Sequence, residues 1–236
     1  AEEPAPDPST PLPVPDGPLG VRLTDVTLAW PGGPDVQEGL SFEVPAGTTV
    51  ALVGPSGAGK STLAATLLRF IPAAAGQIEL VAEGSVVDTS QVGGDELRDA
   101  VGWCAQDAHL FDSTVAANLR LARPSATDEE LVGALATAQL QPWLARLPDG
   151  LQTMIGEHGH TLSGGERQRL ALARVVLTDT RVVVLDEPTE HLDDATATAL
   201  LHDLLAALAG RTLLLITHRR DLLPDGVRVI ELAASV

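Results

Sequence analysis

The sequence predicts an α/β fold built around a covered sheet, and three observations carry that prediction. Residues 49–53 (Thr-Val-Ala-Leu-Val) and 182–185 (Val-Val-Val-Leu) are continuous apolar runs of strand length, which suit strands buried on both faces. Leu63, Leu67 and Leu68, then Leu131, Leu135 and Ala138, then Leu170, Ala173, Val176 and Leu177 recur at helical spacing between and around those runs. Leu40, Phe42 and Val44 alternate strictly and Ile78 and Leu80 do so again, which adds half-exposed antiparallel strands.

In order along the chain, residues 1–18 hold seven prolines and four acidic groups, so 1–19 reads as an extended, solvated linker or tail. Val21, Leu23, Val26, Leu28 and Trp30 alternate imperfectly. With 40–44 they predict antiparallel strands flanking the strand at 49–53. A helix follows that strand, then a hairpin over 76–87 turning at Glu83-Gly84, a short helix at 94–99 and a strand at 100–105. From Asp112 to about Gly150 the pattern is helical, with a capping box at Thr127-Asp128-Glu129-Glu130. A helix opening near Ser163, the strand at 182–185, a helix over 195–208, and strands at 213–217 and 227–232 complete the chain. No internal repeat is visible.

Length and composition bound the function. At 236 residues and 44% hydrophobic content the chain can bury a large core. No apolar run reaches the ~18 residues that cross a bilayer, and the start lacks a signal pattern, so alone the chain is expected to be soluble. It begins with Ala1, as a processed chain or fragment would. A net charge of −17 disfavours a protein that tracks a nucleic-acid backbone. The single Cys104 cannot pair within the chain, fits a reducing compartment, and reads as a small buried residue.

The chemistry concentrates at Gly54-Pro55-Ser56-Gly57-Ala58-Gly59-Lys60-Ser61-Thr62, set between a strand and a helix. Gly54, Gly57 and Gly59 let backbone N–H groups turn inward, and together with the helix dipole they make a concave anion site. Lys60 would set a compact ammonium on the β- and γ-phosphates, and the Ser61 hydroxyl can take one position on Mg²⁺. Lys60 is also the only lysine beside fourteen arginines, at the one place where a guanidinium fits poorly. The run 182–185 then delivers Asp186 and Glu187 at a strand end, where α/β sheets place ligands. Asp186 can hold Mg²⁺ through water, and Glu187 can accept a proton from attacking water.

Leu162-Ser163-Gly164-Gly165-Glu166-Arg167-Gln168 resembles the signature sequence of ATP-binding cassette (ABC) ATPase domains, in order with residues 54–61 and 182–187. The resemblance covers 20–232. It implies a P-loop NTPase fold of the ABC-ATPase type: a mixed RecA-like core sheet, an antiparallel β subdomain, and an inserted α-helical subdomain at about 107–165 within a domain of 20–236. Residue by residue, it makes Gln106 the Q-loop glutamine, a metal and γ-phosphate neighbour. His218 becomes the switch histidine, Asp193 the D-loop aspartate, and Trp30 the aromatic that stacks on adenine. Ser163, Gly164 and Gly165 would face the γ-phosphate held by a partner domain, so that ATP joins two domains head to tail around two nucleotides. The cofactors implied are ATP and Mg²⁺, the metal ligated by Ser61, Gln106 and Asp186. The activity implied is ATP hydrolysis with Lys60, Gln106, Glu187 and His218 as the catalytic set.

Phe111-Asp112-Ser113-Thr114-Val115-Ala116-Ala117-Asn118 is similar to the exporter branch, and Glu157 in Gly156-Glu157-His158-Gly159 resembles the exporter loop that meets a membrane domain. The Pro-rich start then reads as the connection from a transmembrane domain, with the chain at the cytoplasmic face of the inner membrane. Glu190 stands where the common pattern has Ser. That variant resembles the bacterial half-transporter that exports cysteine or glutathione as a heterodimer and supports cytochrome bd assembly. His158 and His160 form H-x-H without further ligands, a solvated loop rather than a metal site. Two alternatives stay open: a soluble ABC ATPase of DNA repair or translation, and a regulatory cassette that holds ATP without turning it over.

Overall fold

The computed structural model describes residues 5–106, 109–156 and 159–233. Its strands are β1 (Gly20–Ala29), β2 (Asp35–Val44), β3 (Thr49–Val53), β4 (Ala75–Ala82), β5 (Ser85–Asp88), β6 (Val101–Cys104), β7 (Ser113–Thr114), β8 (Met154–Ile155), β9 (Val182–Asp186), β10 (Thr212–Ile216) and β11 (Arg228–Glu231). Its helices are α1 (Lys60–Leu67), α2 (Gly94–Ala100), α3 (Val115–Arg120), α4 (Asp128–Thr137), α5 (Gln141–Leu144), α6 (Gly164–Leu177) and α7 (Asp194–Ala207). They form two compact units. The first holds the chain up to Trp103, Asp179–Asp186 and everything from Gly210 on; the second holds Cys104–Thr178 and Glu187–Ala209.

The first unit contains two sheets. One has the order β11-β3-β10-β9-β6, and its registered pairs β11–β3, β3–β10 and β10–β9 are parallel. All of β9 and β10 and four of the five residues of β3 are buried, which explains why those runs lack alternation. The other sheet, β2-β1-β4-β5, is antiparallel. Here one expectation is corrected: β1 and β2 do not flank β3 but pair with each other, and β1 pairs with β4 on its other side. The reason lies in their faces, since β2 is mostly half-buried or exposed along its length while β3 needs cover on both sides. The imperfect alternation of β1 is a bulge, with a register shift between Leu23 and Val26 and Asp25 at φ 51°. Gly76 makes room for it, because a Cβ there would lie 2.3 Å from the Asp25 carbonyl oxygen. Leu19, Val21, Val26, Leu28, Leu52, Leu63, Leu67, Leu80 and Val184 share the unit's core.

Residues 5–18 are extended, as their prolines dictate, but they are not solvated along their length. Leu12 bridges to Val92 in parallel and donates its N–H to the Gln91 carbonyl at 2.7 Å, while the Val14 N–H donates to Glu96 Oε1 at 2.8 Å. Buried Arg69 donates to the Pro6 carbonyl at 2.6 Å and pairs with Asp7 at 3.6 Å; Arg181 donates to the carbonyls of Pro15 and Gly17. Val14 is buried. Proline removes donors but keeps carbonyls, and two arginines collect them.

In the second unit α4 packs on α6 and α7, and α3 on α6, around buried Leu119, Leu131, Leu135, Trp143, Leu170, Leu172 and Leu200. Thr127 and Ser163 each open a helix with a reciprocal capping box. The unit is larger than the helical insertion expected at 107–165, because α6 and α7 contribute its packing partners. Fully buried Asn118 organises the run 111–118. Its Nδ2 donates to the carbonyls of Phe111 and Thr114, and its Oδ1 accepts from the Phe111 N–H and from Arg174 Nη2 at 2.6 Å. Burial pushes the Arg174 guanidinium down from its ordinary value, so its partners matter. Asn118→Ala takes one of three acceptors from half-buried Arg174 and leaves the Phe111 N–H and two carbonyls short of a partner, and should cost about 3 kcal/mol of stability, read by urea denaturation.

Candidate functional site

The sharp turn after β3 begins at Gly54, where a Cβ would sit 2.8 Å from the Leu232 carbonyl oxygen. Gly59, at φ 81°, precedes α1 and rests against Val36 and Gln37 of β2; a Cβ added there would lie 3.1 Å from Val36 Cγ1. Ala58 is buried, Pro55, Ser56 and Gly57 are exposed, and Thr62 is buried at the root of α1. Lys60 Nζ donates to the carbonyls of Gly54 and Pro55, both at 2.8 Å, so the ammonium closes across the loop it belongs to. Trp30 follows β1 directly and is 49% exposed, an open aromatic on the hairpin whose second strand backs the loop.

Sheet register does the rest of the assembly in this unit. Ile216 of β10 is level with Leu52 of β3 and with Asp186 of β9, so three strands end together. From those ends emerge the glycine loop, Asp186 and, past buried Thr217, exposed His218. Buried Asp186 accepts a hydrogen bond through Oδ2 from Ser61 Oγ at 2.7 Å. A hydroxyl and a carboxylate oxygen in contact form a hard donor pair of the kind Mg²⁺ prefers, and the loop's glycines and Lys60 suit a polyphosphate, so the residues fit the group the family uses.

Glu187, the next residue, opens the second stretch of the other unit. It is buried at 9% exposure and holds φ 48°, a conformation that costs a side-chain-bearing residue about 1 kcal/mol or more. In that unit Gln106 Nε2 donates to Glu190 Oε2. Ser163 and Gly164 are exposed and Gly165 half-buried at the start of α6; a Cβ on Gly164 would meet nothing within 4 Å. Asp193 caps α7, accepting from the Thr196 N–H at 3.0 Å and its hydroxyl at 2.7 Å. The Thr196 N–H first, and then the hydroxyl, hold its carboxyl below the ordinary carboxylate range. The cap therefore contributes above the unfolded value and is lost as pH falls through the lowered one. Glu157 and His158 lie outside the described residues; His160 is exposed.

Two contacts escaped the sequence reading. Buried Gln168 of α6 donates through Nε2 to the Glu187 carbonyl, and Glu190 is the partner of Gln106. The first had a signal: Gln168 shares a helical face with buried Leu172 and Val175, and a polar side chain on an apolar stripe needs a partner. The second had only the substitution of Glu for Ser, which shows that the position is unusual but not what it touches.

With this geometry in view, likeness to other proteins is informative. The ABC transporter family profile matches residues 37–190. The mitochondrial iron-sulfur clusters transporter ATM1 of Candida glabrata is 37% identical over 219 residues, 92% of this chain and 30% of that protein. A multidrug efflux ATP-binding/permease protein of Mycobacterium tuberculosis is 36% identical over 215 residues, 91% of this chain and 18% of that one. Among solved structures, a bacterial Atm1-family ABC exporter with ATP bound superposes with a TM-score of 0.88 at 36% identity, over 99% of this chain and 41% of that one. This chain thus spans less than half the length of each of these proteins. A glycine loop, a level row of strand ends and a capped Ser-Gly-Gly helix start agree with these matches, and the chain belongs to the ABC transporter family, as an ATP-binding domain.

Proposed function

We propose that the chain binds and hydrolyses ATP to power an ABC exporter, working as one of two domains that close head to tail around two nucleotides. The observation that carries the reading is the Ser61–Asp186 contact of 2.7 Å at the mouth of the glycine loop, a ready seat for a phosphate-bound cation. Lys60 and the loop N–H groups hold the triphosphate, and Trp30 stacks on adenine. Ser61 and Asp186, together with Gln106, would hold Mg²⁺, which when bound would neutralise charge on the phosphates. Glu187 accepts the proton of the attacking water as the γ-phosphoryl bond breaks and ADP leaves with the electron pair; His218 orients the γ-phosphate. Gly164 and Gly165, at the helix start that Ser163 caps with Glu166, offer N–H groups to the partner's γ-phosphate, with the Ser163 hydroxyl turning to it from Glu166 and the D-loop Asp193 taking part. Closure by ATP and opening after hydrolysis is the mechanical output.

The remaining parts of the machine follow from the relatives' names. Each partner domain would be joined to a membrane-spanning portion, with this domain at the cytoplasmic face; among the described residues no helix is long and apolar enough to cross a membrane. Glu190 supports a heterodimer and a thiol cargo such as cysteine or glutathione. The relatives quoted are named for iron-sulfur clusters and for drugs, so cassettes with similar sequence serve different cargoes.

Gly164→Glu tests the head-to-tail reading. A side chain at 164 has open space, so the fold should stand, but the added carboxylate would oppose the partner's phosphate. ATP affinity at Lys60 should be unchanged while ATP-driven association with the partner domain disappears in sedimentation runs. Undiminished association would refute the proposed closure.

A further inference from the structure

We propose that Gln168 is a positioning residue for ATP hydrolysis: its side-chain amide grips the Glu187 carbonyl and so fixes the direction in which the Glu187 carboxylate leaves the backbone. The inference rests on the reading of Glu187 as the proton acceptor and goes beyond it to a residue of α6 that does not touch the nucleotide.

The argument starts from the backbone. Glu187 holds φ 48°, where only a few side-chain-bearing residues sit, and it persists there only if its surroundings over-determine it. Its carbonyl accepts from the Glu190 N–H at 3.1 Å across a turn and from Gln168 Nε2, and Glu187 and Gln168 are buried, at 9% and 6% exposure. A hydrogen bond shielded from water resists exchange, so the peptide plane after Glu187 is held from two directions, by the turn to Glu190 and by Gln168, and cannot swing without stripping the buried Gln168 amide of this acceptor. Fixing that plane fixes ψ at Glu187, and with φ it sets the direction of the Cα–Cβ bond from which the carboxylate extends.

The placement of Gln168 adds a second element. It lies in the second turn of α6, the helix that Ser163 caps through a box with Glu166. The same rigid helix therefore carries, at its start, the residues that face a partner's γ-phosphate and, one turn on, the donor that holds the acceptor of this chain's own water. A tilt of α6 as its first turn engages a partner would be felt at the Glu187 carbonyl. Gln168 thus gives the two nucleotide sites a covalent and hydrogen-bonded link through fewer than two helical turns.

Gln168→Met tests this in the assembled transporter, since Met has similar length but no donor. The expected result is a fall in kcat of about tenfold to a hundredfold with KM for ATP unchanged, the size of loss that a small misplacement of a catalytic group brings. In a Glu187→Gln background the same substitution should cause no further loss in single-turnover assays, because Gln168 acts through Glu187. Wild-type kcat in Gln168→Met, or an equal additional loss in the Glu187→Gln background, would overturn the proposal. Normal turnover in Glu187→Gln alone would instead overturn the reading of Glu187. Should Gln168→Met fail to fold, Gln168→Glu serves: its carboxyl can donate only while protonated, so kcat should fall as pH rises through the pKa of that carboxyl, beyond any fall shown by the parent. A parallel pH profile would count against the link.

Discussion

Glu187→Gln is expected to leave ATP on the protein and to lower turnover by about 10²- to 10⁴-fold, the contribution of a positioned proton acceptor. The substitution keeps size, polarity and the capacity to sit at φ 48°, and it leaves the carbonyl that Gln168 grips. What it removes is the ability to take a proton. Because Lys60, Ser61 and the glycine loop are untouched, calorimetric ATP affinity should match the parent, and the closed dimer should accumulate. A variant that hydrolyses ATP at the parent rate would show that another group accepts the proton.

Lys60→Arg should lose ATP affinity by about tenfold to a hundredfold despite keeping the charge, because charge-assisted hydrogen bonds are each worth about 1.5–3 kcal/mol and the fork cannot remake them. The Lys60 ammonium fits between two carbonyls, 2.8 Å from each, at the centre of a tight loop. A planar guanidinium is wider, and its donors are splayed in one plane rather than around a point. Loop expansion to admit it is opposed by Gly54 and Gly59, each already close against Leu232 and against Val36 of β2. Titration with a fluorescent ATP analogue measures the effect, and affinity equal to the parent would mean that charge alone holds the phosphates.

Much of this architecture was legible in the chain because its signals are local. β3 and β9 announce themselves as unbroken apolar runs, the capping boxes at Thr127 and Ser163 mark helix starts within a residue, and the Glu83-Gly84 turn closes the β4–β5 hairpin. Partnership between strands was less legible. Alternation says that β1 and β2 have one wet face each, but not that they pair with each other, with β4 on the far side of β1, rather than with β3. The candidate site shows the same division. The loop and the strand-end carboxylates are sequence features, whereas the Ser61–Asp186 contact depends on a register shared by β3, β10 and β9 that no short stretch encodes. Residues 5–18 show the same division: their composition forbids a core of their own, but Arg69 and Arg181, distant in sequence, supply an anchorage.

That anchorage has a mechanical meaning. A tether with slack would absorb displacement, but Pro15 and Gly17 are clasped by Arg181, which immediately precedes β9, and β9 ends at Asp186. Pulling on the leading segment therefore loads the base of the strand whose tip touches Ser61. Load on residues 15–17 is thus passed to β9 through the Arg181 hydrogen bonds instead of being taken up by slack.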